Sequence, residues 1–474
     1  MQTNTASSPA VAFLTLGCKT NLLESSALAE QFRALGWFVV PEDASADLYV
    51  FNTCTVTEKA DAESRRLIRR AKRANPNARI AVTGCYAQVA PDTVAGIEGV
   101  DFVIGNNYKE QLVDILLNRF PDYRAENGLG PLIQVDEFDK SRVLEQTAAS
   151  NAGLERTRGS LKIQDGCDYK CTYCIIWKGR GPSRSLPVGQ VLSKIEGLRD
   201  EGFKDITLTG INIGQYLFTD ESGRRFELPE LLEAICELPG TFRVRLTSLD
   251  PLEVPERLID VVARSNGRIA PHFHLSTQSA DDEVLKRMAR RHHVAAFRHV
   301  CEEIARQMPD ALISGDIIVG FPGETEEAFE NTFRVLSQVP MAALHVFRYS
   351  PRPGTPAAEF DQQVPERIRK ERAQRLIALA AEKNRAFRER MVGKTLSVLV
   401  EREPEVSETP MTPKPRLEGT SENYLKVWLP AQAVTPEGEP IRTNDLVAVR
   451  VTGLVSETHG VEAVEGVVER ILAR

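Results

Sequence analysis

No long apolar run occurs anywhere in the chain. The first hydrophobic stretch, Val11 to Leu16, is far too short to cross a bilayer, and Met1 to Ala10 in front of it is small and polar without positive charge. A membrane span and a secretory leader are therefore not expected, and the reading is a cytoplasmic protein with no membrane partner. Positive charge is not in excess either. Lys and Arg number 59 against 66 Asp and Glu, a net charge of -7, which excludes coating of nucleic acid by bulk positive potential but leaves local basic patches open. Cysteine is scarce, eight in 474 residues, and without an export signal a disulfide framework is not expected and metal or redox roles are favoured. With 42% hydrophobic and 26% charged residues the chain can bury real cores, and its length predicts roughly three domains.

Three of the eight cysteines, Cys167, Cys171 and Cys174, are spaced C-x-x-x-C-x-x-C directly after the run Leu161 to Gln164. A compact loop of this kind can wrap three soft thiolates around an iron-sulfur cubane and leave one iron open. A structural zinc site closes its tetrahedron with a fourth Cys or His, and none stands nearby. The competing readings are incomplete zinc ligation or buried thiols.

Val11 to Leu16, Leu48 to Thr53 and Ile80 to Thr83 are apolar runs separated by segments of helical period, Leu22 to Leu35 and Ala60 to Ala74. This alternation predicts parallel strands with crossover helices, a doubly wound domain over residues 10–127. Each run leads to a cysteine: Cys18, Cys54 and Cys85. Ligands of open parallel sheets bind beyond the carboxyl ends of the strands, so these three thiols are expected on one rim, as a second cluster site with an open iron. The alternative is three small buried hydrophobes. Arg65, Arg66, Arg69, Arg70, Lys72 and Arg73 concentrate charge on the faces of one helix, a solvated surface or a phosphate contact.

Residues 118–151 contain Pro121, Gly128, Gly130 and Pro131 and read as a linker. Strands are then expected at Leu161 to Gln164, Ile206 to Thr209, Phe242 to Thr247, His272 to Leu275, Leu312 to Val319 and Ala343 to Phe347, with helices between them. Six such units make an incomplete (β/α)6 barrel over residues 152–391, with chemistry at the strand C-terminal ends. His272, His274, His292, His293 and His299 read as packing or surface residues, and Cys236 and Cys301 as inert thiols in helices. A charged helix, Pro365 to Met391, with apolar stripe Ile368, Leu376, Ile377, Leu379 and Phe387, closes the barrel. After it, residues 392–474 alternate with period two around a loop at Glu401 to Leu417, predicting a small all-β barrel of the OB-like kind that grips nucleic acid. Tyr424, Lys426 and Trp428 are expected on one strand face, with core packing the alternative for Trp428.

Gly17-Cys18-Lys19-Thr20-Asn21, Asn52 to Thr57, Thr83 to Gln88, the central triplet with Tyr173, and Tyr349 to Thr355 together resemble the radical S-adenosylmethionine methylthiotransferases. The likeness covers nearly the whole chain, including an end domain that resembles the family's TRAM domain. Cys-Lys-x-Asn and Thr-Val-Thr are similar to the branch that acts on N6-threonylcarbamoyladenosine beside the tRNA anticodon. The resemblance implies two 4Fe-4S clusters and S-adenosyl-L-methionine. Cys167, Cys171 and Cys174 hold the cluster whose open iron binds the cofactor and yields a deoxyadenosyl radical. Cys18, Cys54 and Cys85 hold the auxiliary cluster carrying the sulfur placed, with a methyl group, on carbon 2 of the adenine. Cofactor contacts are expected at Tyr173, Gly210, Asn212, Ser276, Gln278 and Asp316, and substrate or phosphate contacts at Arg180 and Arg184. The implied partners are the tRNA anticodon loop, an electron donor and a sulfur source. The alternatives are the same chemistry on N6-isopentenyladenosine or on a ribosomal-protein aspartate, or a non-enzymatic iron-sulfur RNA-binding protein. Two three-ligand sets argue against that last reading, because structural clusters normally use four.

Overall fold

Six short strands, β1 (Ala10–Thr15), β2 (Phe38–Val40), β3 (Leu48–Thr53), β4 (Arg79–Gly84), β5 (Phe102–Ile104) and β6 (Leu132–Gln134), pair in parallel in the order β2-β1-β3-β4-β5-β6. Every residue of β3 and β4 is buried, as central strands covered on both faces require. Strand alternation divides the core between those faces. Leu14, Phe51 and Val82 pack with Ile68 and Ala71 of helix Glu58–Ala74. Val11, Val50 and Phe102 pack on the other side with Leu28 and Phe32 of helix Lys19–Ala34 and with Leu112 and Leu116 of helix Leu112–Arg119. This is the doubly wound sheet expected from the sequence. Strands β2, β5 and β6, three residues each, were not anticipated, because so short a run carries no readable period.

The computed structural model of the chain describes residues 8–119, 130–138, 144, 157–402, 416–457 and 460–474. Strand β6 falls within the stretch 118–151 read as a linker, most of which lies outside the described residues. The chain divides into two units that cut across the three consecutive segments read from the sequence. The first joins Met1–Leu154 to Gln164–Leu186 and Ser350–Glu359, and the second takes Glu155–Ile163, Pro187–Tyr349 and Phe360–Arg474. All six candidate ligand cysteines belong to the first. After β7 (Gly159–Lys162), part of the second unit, the antiparallel pair β8 (Gln164–Asp165) and β9 (Arg184–Ser185) brackets the cysteine loop.

In the second unit β7 pairs in parallel with β10 (Asp205–Thr209), and β10 with β13 (Arg243–Leu246), while an antiparallel ribbon of β11 (Leu217–Thr219) and β12 (Arg225–Glu227) stands apart. A second parallel sheet runs β14 (Ser248–Leu249), β15 (His272–Gln278), β16 (Leu312–Val319) and β17 (Ala343–Arg348). Strands β13 and β14 are two parts of one run interrupted at Thr247, so six parallel positions form the incomplete (β/α)6 barrel. Helix Glu366–Met391 buries Leu376, Leu379 and Phe387, but Ile377, counted in its apolar stripe, is exposed.

The C-terminal strands β18 (Thr395–Arg402), β19 (Arg416–Ser421), β20 (Lys426–Pro430), β21 (Leu446–Glu457) and β22 (Gly460–Ala473) close into a barrel in the order β18-β19-β20-β22-β21. Of the loop Glu401 to Leu417, residues 403–415 lie outside the described residues. Asp205 is fully buried, 2.7 Å from both the Arg243 and Arg245 guanidiniums. Other donors of the two arginines reach backbone oxygens of Ser397 (2.8 Å), Thr420 (3.0 Å), Ser421 (2.7 Å) and Glu422 (2.9 Å). A buried salt bridge thus ties the closed barrel to the β10-β13 edge. Burial alone would raise the Asp205 carboxyl, but the charges and hydrogen bonds of Arg245 and Arg243 hold it well below the usual carboxylate range.

The expected shared strand face of Tyr424, Lys426 and Trp428 is not formed: Tyr424 is exposed but lies ahead of the strand, and Trp428 is buried. Tyr424 precedes β20 in a turn with φ +68°, and its ring stacks on His272 with centroids 4.6 Å apart. Trp428 is buried in the barrel wall, the core-packing alternative.

Candidate functional site

Cysteines 18, 54 and 85 follow β1, β3 and β4, which are adjacent in the sheet. Their convergence depends on backbone that only glycine supplies. Gly17 has φ +98°, and a Cβ there would lie 2.6 Å from Cys54 Cβ and 2.9 Å from its Sγ. Cys18 caps helix Lys19–Ala34, and its thiol donates to Asn21 Oδ1 at 3.9 Å. Cys85, buried, opens helix Cys85–Val89, with Asn106 Nδ2 at 3.6 Å from its Sγ. The Cys54 thiol is pushed up to about 11, first by burial and further by the charges of Cys85, Cys18 and Asp61.

The second triplet sits on a loop held by its own backbone. The Cys167 N–H donates to Gly181 O (2.9 Å), the Cys174 N–H to Cys171 O (3.0 Å), and the Ile176 N–H points at Cys174 Sγ (3.4 Å). The segment Ser350–Glu359 touches this loop and also the Cys54 turn. The Ala357 N–H donates to Thr172 O (2.9 Å), Lys178 Nζ to Gly354 O (2.8 Å), and the buried Arg352 donates to Thr55 Oγ1 (2.6 Å) and to Asp61. None of the eight cysteines is in a disulfide. Among the described residues no group of three His, Cys, Asp or Glu side chains has the spacing of a single metal ion. Each triplet offers three soft thiol donors, the chemistry that an iron-sulfur cluster takes.

Arg180 corrects an expectation. The Gly-Arg-Gly-Pro-Ser-Arg stretch reads as an exposed loop offering Arg180 to substrate or phosphate, but Arg180 is only 1% exposed. Its guanidinium bonds Glu24 and Asn21, with Asp165 at 3.4 Å, and Glu24 is also held by the buried Lys109 at 2.6 Å. Although burial opposes the charge, the carboxylates of Glu24 and Asp165 push the Arg180 guanidinium well above its ordinary value. No donor of it is directed at solvent phosphate. Arg184 is half-buried over Phe138, 5.3 Å from its ring centroid, and donates to Arg180 O (3.2 Å). Sequence reasoning gave no role to Glu24, Asp61, Asn106, Lys109 or Arg352, whose partners are distant in the chain.

Of the six expected cofactor contacts, Tyr173 lies in the cysteine loop of the first unit. The other five belong to the second, four of them at the carboxyl ends of parallel strands and Asp316 within one. Gly210 and the buried Asn212 follow β10. Ser276 and Gln278 end β15, where pairing with β16 slips between Leu275 and Gln278 and Gln278 takes φ +66°. The Ser276 carbonyl accepts from Arg290, which also pairs with Asp250. Asp316, in β16, is 3.2 Å from His274 Nε2. His272 and His292 are buried, whereas His293 and His299 are exposed. Burial raises the thiols of Cys236 and Cys301, which carry no sign of reactivity.

A family model described as Uncharacterized protein family UPF0004 matches residues 10–105, and the Radical SAM superfamily model matches residues 161–336. The protein named threonylcarbamoyladenosine tRNA methylthiotransferase MtaB of Bacillus subtilis is 38% identical over 418 residues, 88% of this chain and 89% of its own. The protein of the same name from Thermotoga maritima is 38% identical over 82% of this chain and 85% of its own. Among solved structures, the radical S-adenosylmethionine methyltransferase TsrM of Kitasatospora setae matches in fold with a TM-score of 0.55 at 15% identity, over 74% of this chain and 75% of that one. No helix among the described residues is long and apolar enough to cross a membrane. Radical SAM enzymes use S-adenosylmethionine with a 4Fe-4S cluster, and their methylthiotransferases carry a second cluster. By full-length relatedness and by its two cysteine triplets, this chain belongs to the radical SAM tRNA methylthiotransferase family.

Proposed function

We propose that this chain places a methylthio group on carbon 2 of N6-threonylcarbamoyladenosine beside the anticodon of tRNA, as the names of its relatives suggest. The observation that supports this reading is the presence in one unit of two separate triplets of free cysteines. When bound, the clusters and S-adenosylmethionine supply a carbon radical and the sulfur to be transferred.

The chain's own residues hold and orient these groups. Cys167, Cys171 and Cys174 would ligate the radical cluster, with the Ile176 N–H directed at Cys174 Sγ. Cys18, Cys54 and Cys85 would ligate the sulfur-bearing cluster, which would supply the sulfur to be transferred. Tyr173, Gly210, Asn212, Ser276, Gln278 and Asp316 are assigned to the cofactor, with His274 orienting the Asp316 carboxylate. Arg184 is retained as a substrate contact, and Arg180 passes to the buried network.

The segments 10–127, 152–391 and 392–474 take the roles of sulfur donation, radical generation and RNA grip. Arg66, Arg69, Arg70 and Arg73 form an exposed stripe on helix Glu58–Ala74 suited to tRNA phosphates. An electron donor and a sulfur source complete the system, in the cytoplasm. Nucleoside analysis of tRNA from cells with and without the gene tests the assignment. Loss of 2-methylthio-N6-threonylcarbamoyladenosine supports it, and loss of a different methylthio nucleoside moves the activity to another substrate.

A further inference from the structure

We propose that Asn106 and Arg180 are positioning residues through which the loop of the radical triplet sets the reduction potential of the cluster on Cys18, Cys54 and Cys85. This rests on the reading that those three cysteines hold a cluster. Asn106 Nδ2 donates to Gly179 O at 2.6 Å and lies 3.6 Å from Cys85 Sγ, so one amide group faces both a ligand sulfur and the backbone of helix Ile176–Arg180, which begins two residues after Cys174. That approach is close: a Cβ on Gly179 would stand 3.2 Å from Cys85 Cβ. The next residue, Arg180, reaches Asn21, whose amide in turn donates to Leu16 O (2.8 Å) and Thr53 O (3.2 Å), the backbone just ahead of Cys18 and Cys54. The thiols of Cys18 and Cys85 are therefore each tied to residue 179 or 180 through one side chain, and the backbone just ahead of Cys54 is held by the same Asn21.

The network has a charge consequence as well as a mechanical one. Arg180 and Lys109 balance Glu24 and Asp165 in a buried region where Coulomb interactions are weakly screened. Removing the Arg180 charge leaves the carboxylates in excess beside Cys18 and Cys85. Hydrogen bonds to ligand sulfurs and nearby positive charge stabilise the reduced, more negative form of an iron-sulfur cluster and raise its potential. Asn106 supplies the first influence at Cys85, and Arg180 supplies the second.

The test uses full-length protein carrying Cys167→Ala, Cys171→Ala and Cys174→Ala, reconstituted anaerobically with iron and sulfide so that only one cluster remains. Iron is counted, and the midpoint potential is read by redox titration followed by electron paramagnetic resonance. At unchanged iron content, Asn106→Leu and Arg180→Gln are expected to titrate at a more negative potential than the parent, and Arg180→Lys to restore most of the shift. Equal potentials in parent, Asn106→Leu and Arg180→Gln overturn the proposal while leaving the cluster assignment standing. A parent that binds no iron overturns the cluster assignment, and the proposal with it. Where Asn106→Leu does not load, Asn106→Ser is read by the same criterion.

Discussion

Arg352 and Asp61, 291 residues apart in sequence, form a buried ion pair that binds the Ser350–Glu359 segment to helix Glu58–Ala74, which follows the Cys54 turn. Removing one partner of a buried pair strands the other charge, at a cost of about 3–5 kcal/mol. Arg352→Ala is expected to lower the thermal midpoint and the iron content together, and Arg352→Lys to recover part of both. An unchanged midpoint in Arg352→Ala would show that the pair is dispensable.

Gly17 makes a sharper prediction about the cysteine rim. Its φ of +98° costs a side-chain-bearing residue about 1–3 kcal/mol, and the added methyl would meet Cys54. Gly17→Ala should therefore lose iron from the first triplet while the second still loads, leaving about four irons where the parent binds about eight. Retention of the parent's iron content by Gly17→Ala is the contrary result.

In the second unit, Asp205 between Arg243 and Arg245 sets a pH dependence. Its folded pKa lies below its unfolded value of about 3.9. The unfolded chain thus binds the proton more readily, so the contribution is fully present above that value and is lost as pH falls through the folded pKa. Asp205→Asn should destabilise the parent fold by about 3–5 kcal/mol near neutrality. Chemical denaturation at pH 7 and pH 3 should then show a smaller gap between variant and parent at the lower pH. A gap that does not narrow contradicts the assignment.

The exposed arginines of helix Glu58–Ala74 lead to a salt measurement. Arg69, Arg70 and Arg73 are exposed. If each meets a phosphate of single-stranded RNA, replacing all three by Gln should lower the slope of log affinity against log salt by roughly 2. Binding of fluorescent tRNA at several salt concentrations measures it. A weaker affinity with the same slope would place those residues away from the phosphates.

The cysteine rim was legible because strand-ending cysteines obey a topological rule that needs only the order of the elements. The six parallel positions of the larger barrel were legible for the same reason, through apolar runs of four to eight residues. Arg180 was not, because flanking glycines and a proline read as a surface loop while its partner Glu24 lies 156 residues away. Tyr424 and Trp428 misled in a similar way. Period two predicts which strand face residues share, but Tyr424 lies in the turn before β20, outside the strand's period, with its ring stacked on His272. Ion networks and barrel docking are made by residues far apart in sequence, and neither has a local period.

The central claim is that two three-cysteine sites in this chain carry out methylthiolation of a threonylcarbamoylated adenosine. Its most direct test incubates anaerobically reconstituted protein with S-adenosylmethionine, a reductant and tRNA bearing N6-threonylcarbamoyladenosine, and identifies the product nucleoside by mass spectrometry. The account predicts 2-methylthio-N6-threonylcarbamoyladenosine from the parent protein and none from Cys18→Ala or Cys171→Ala. Cofactor cleavage to 5′-deoxyadenosine by the parent, with the nucleoside left unmodified, would contradict it.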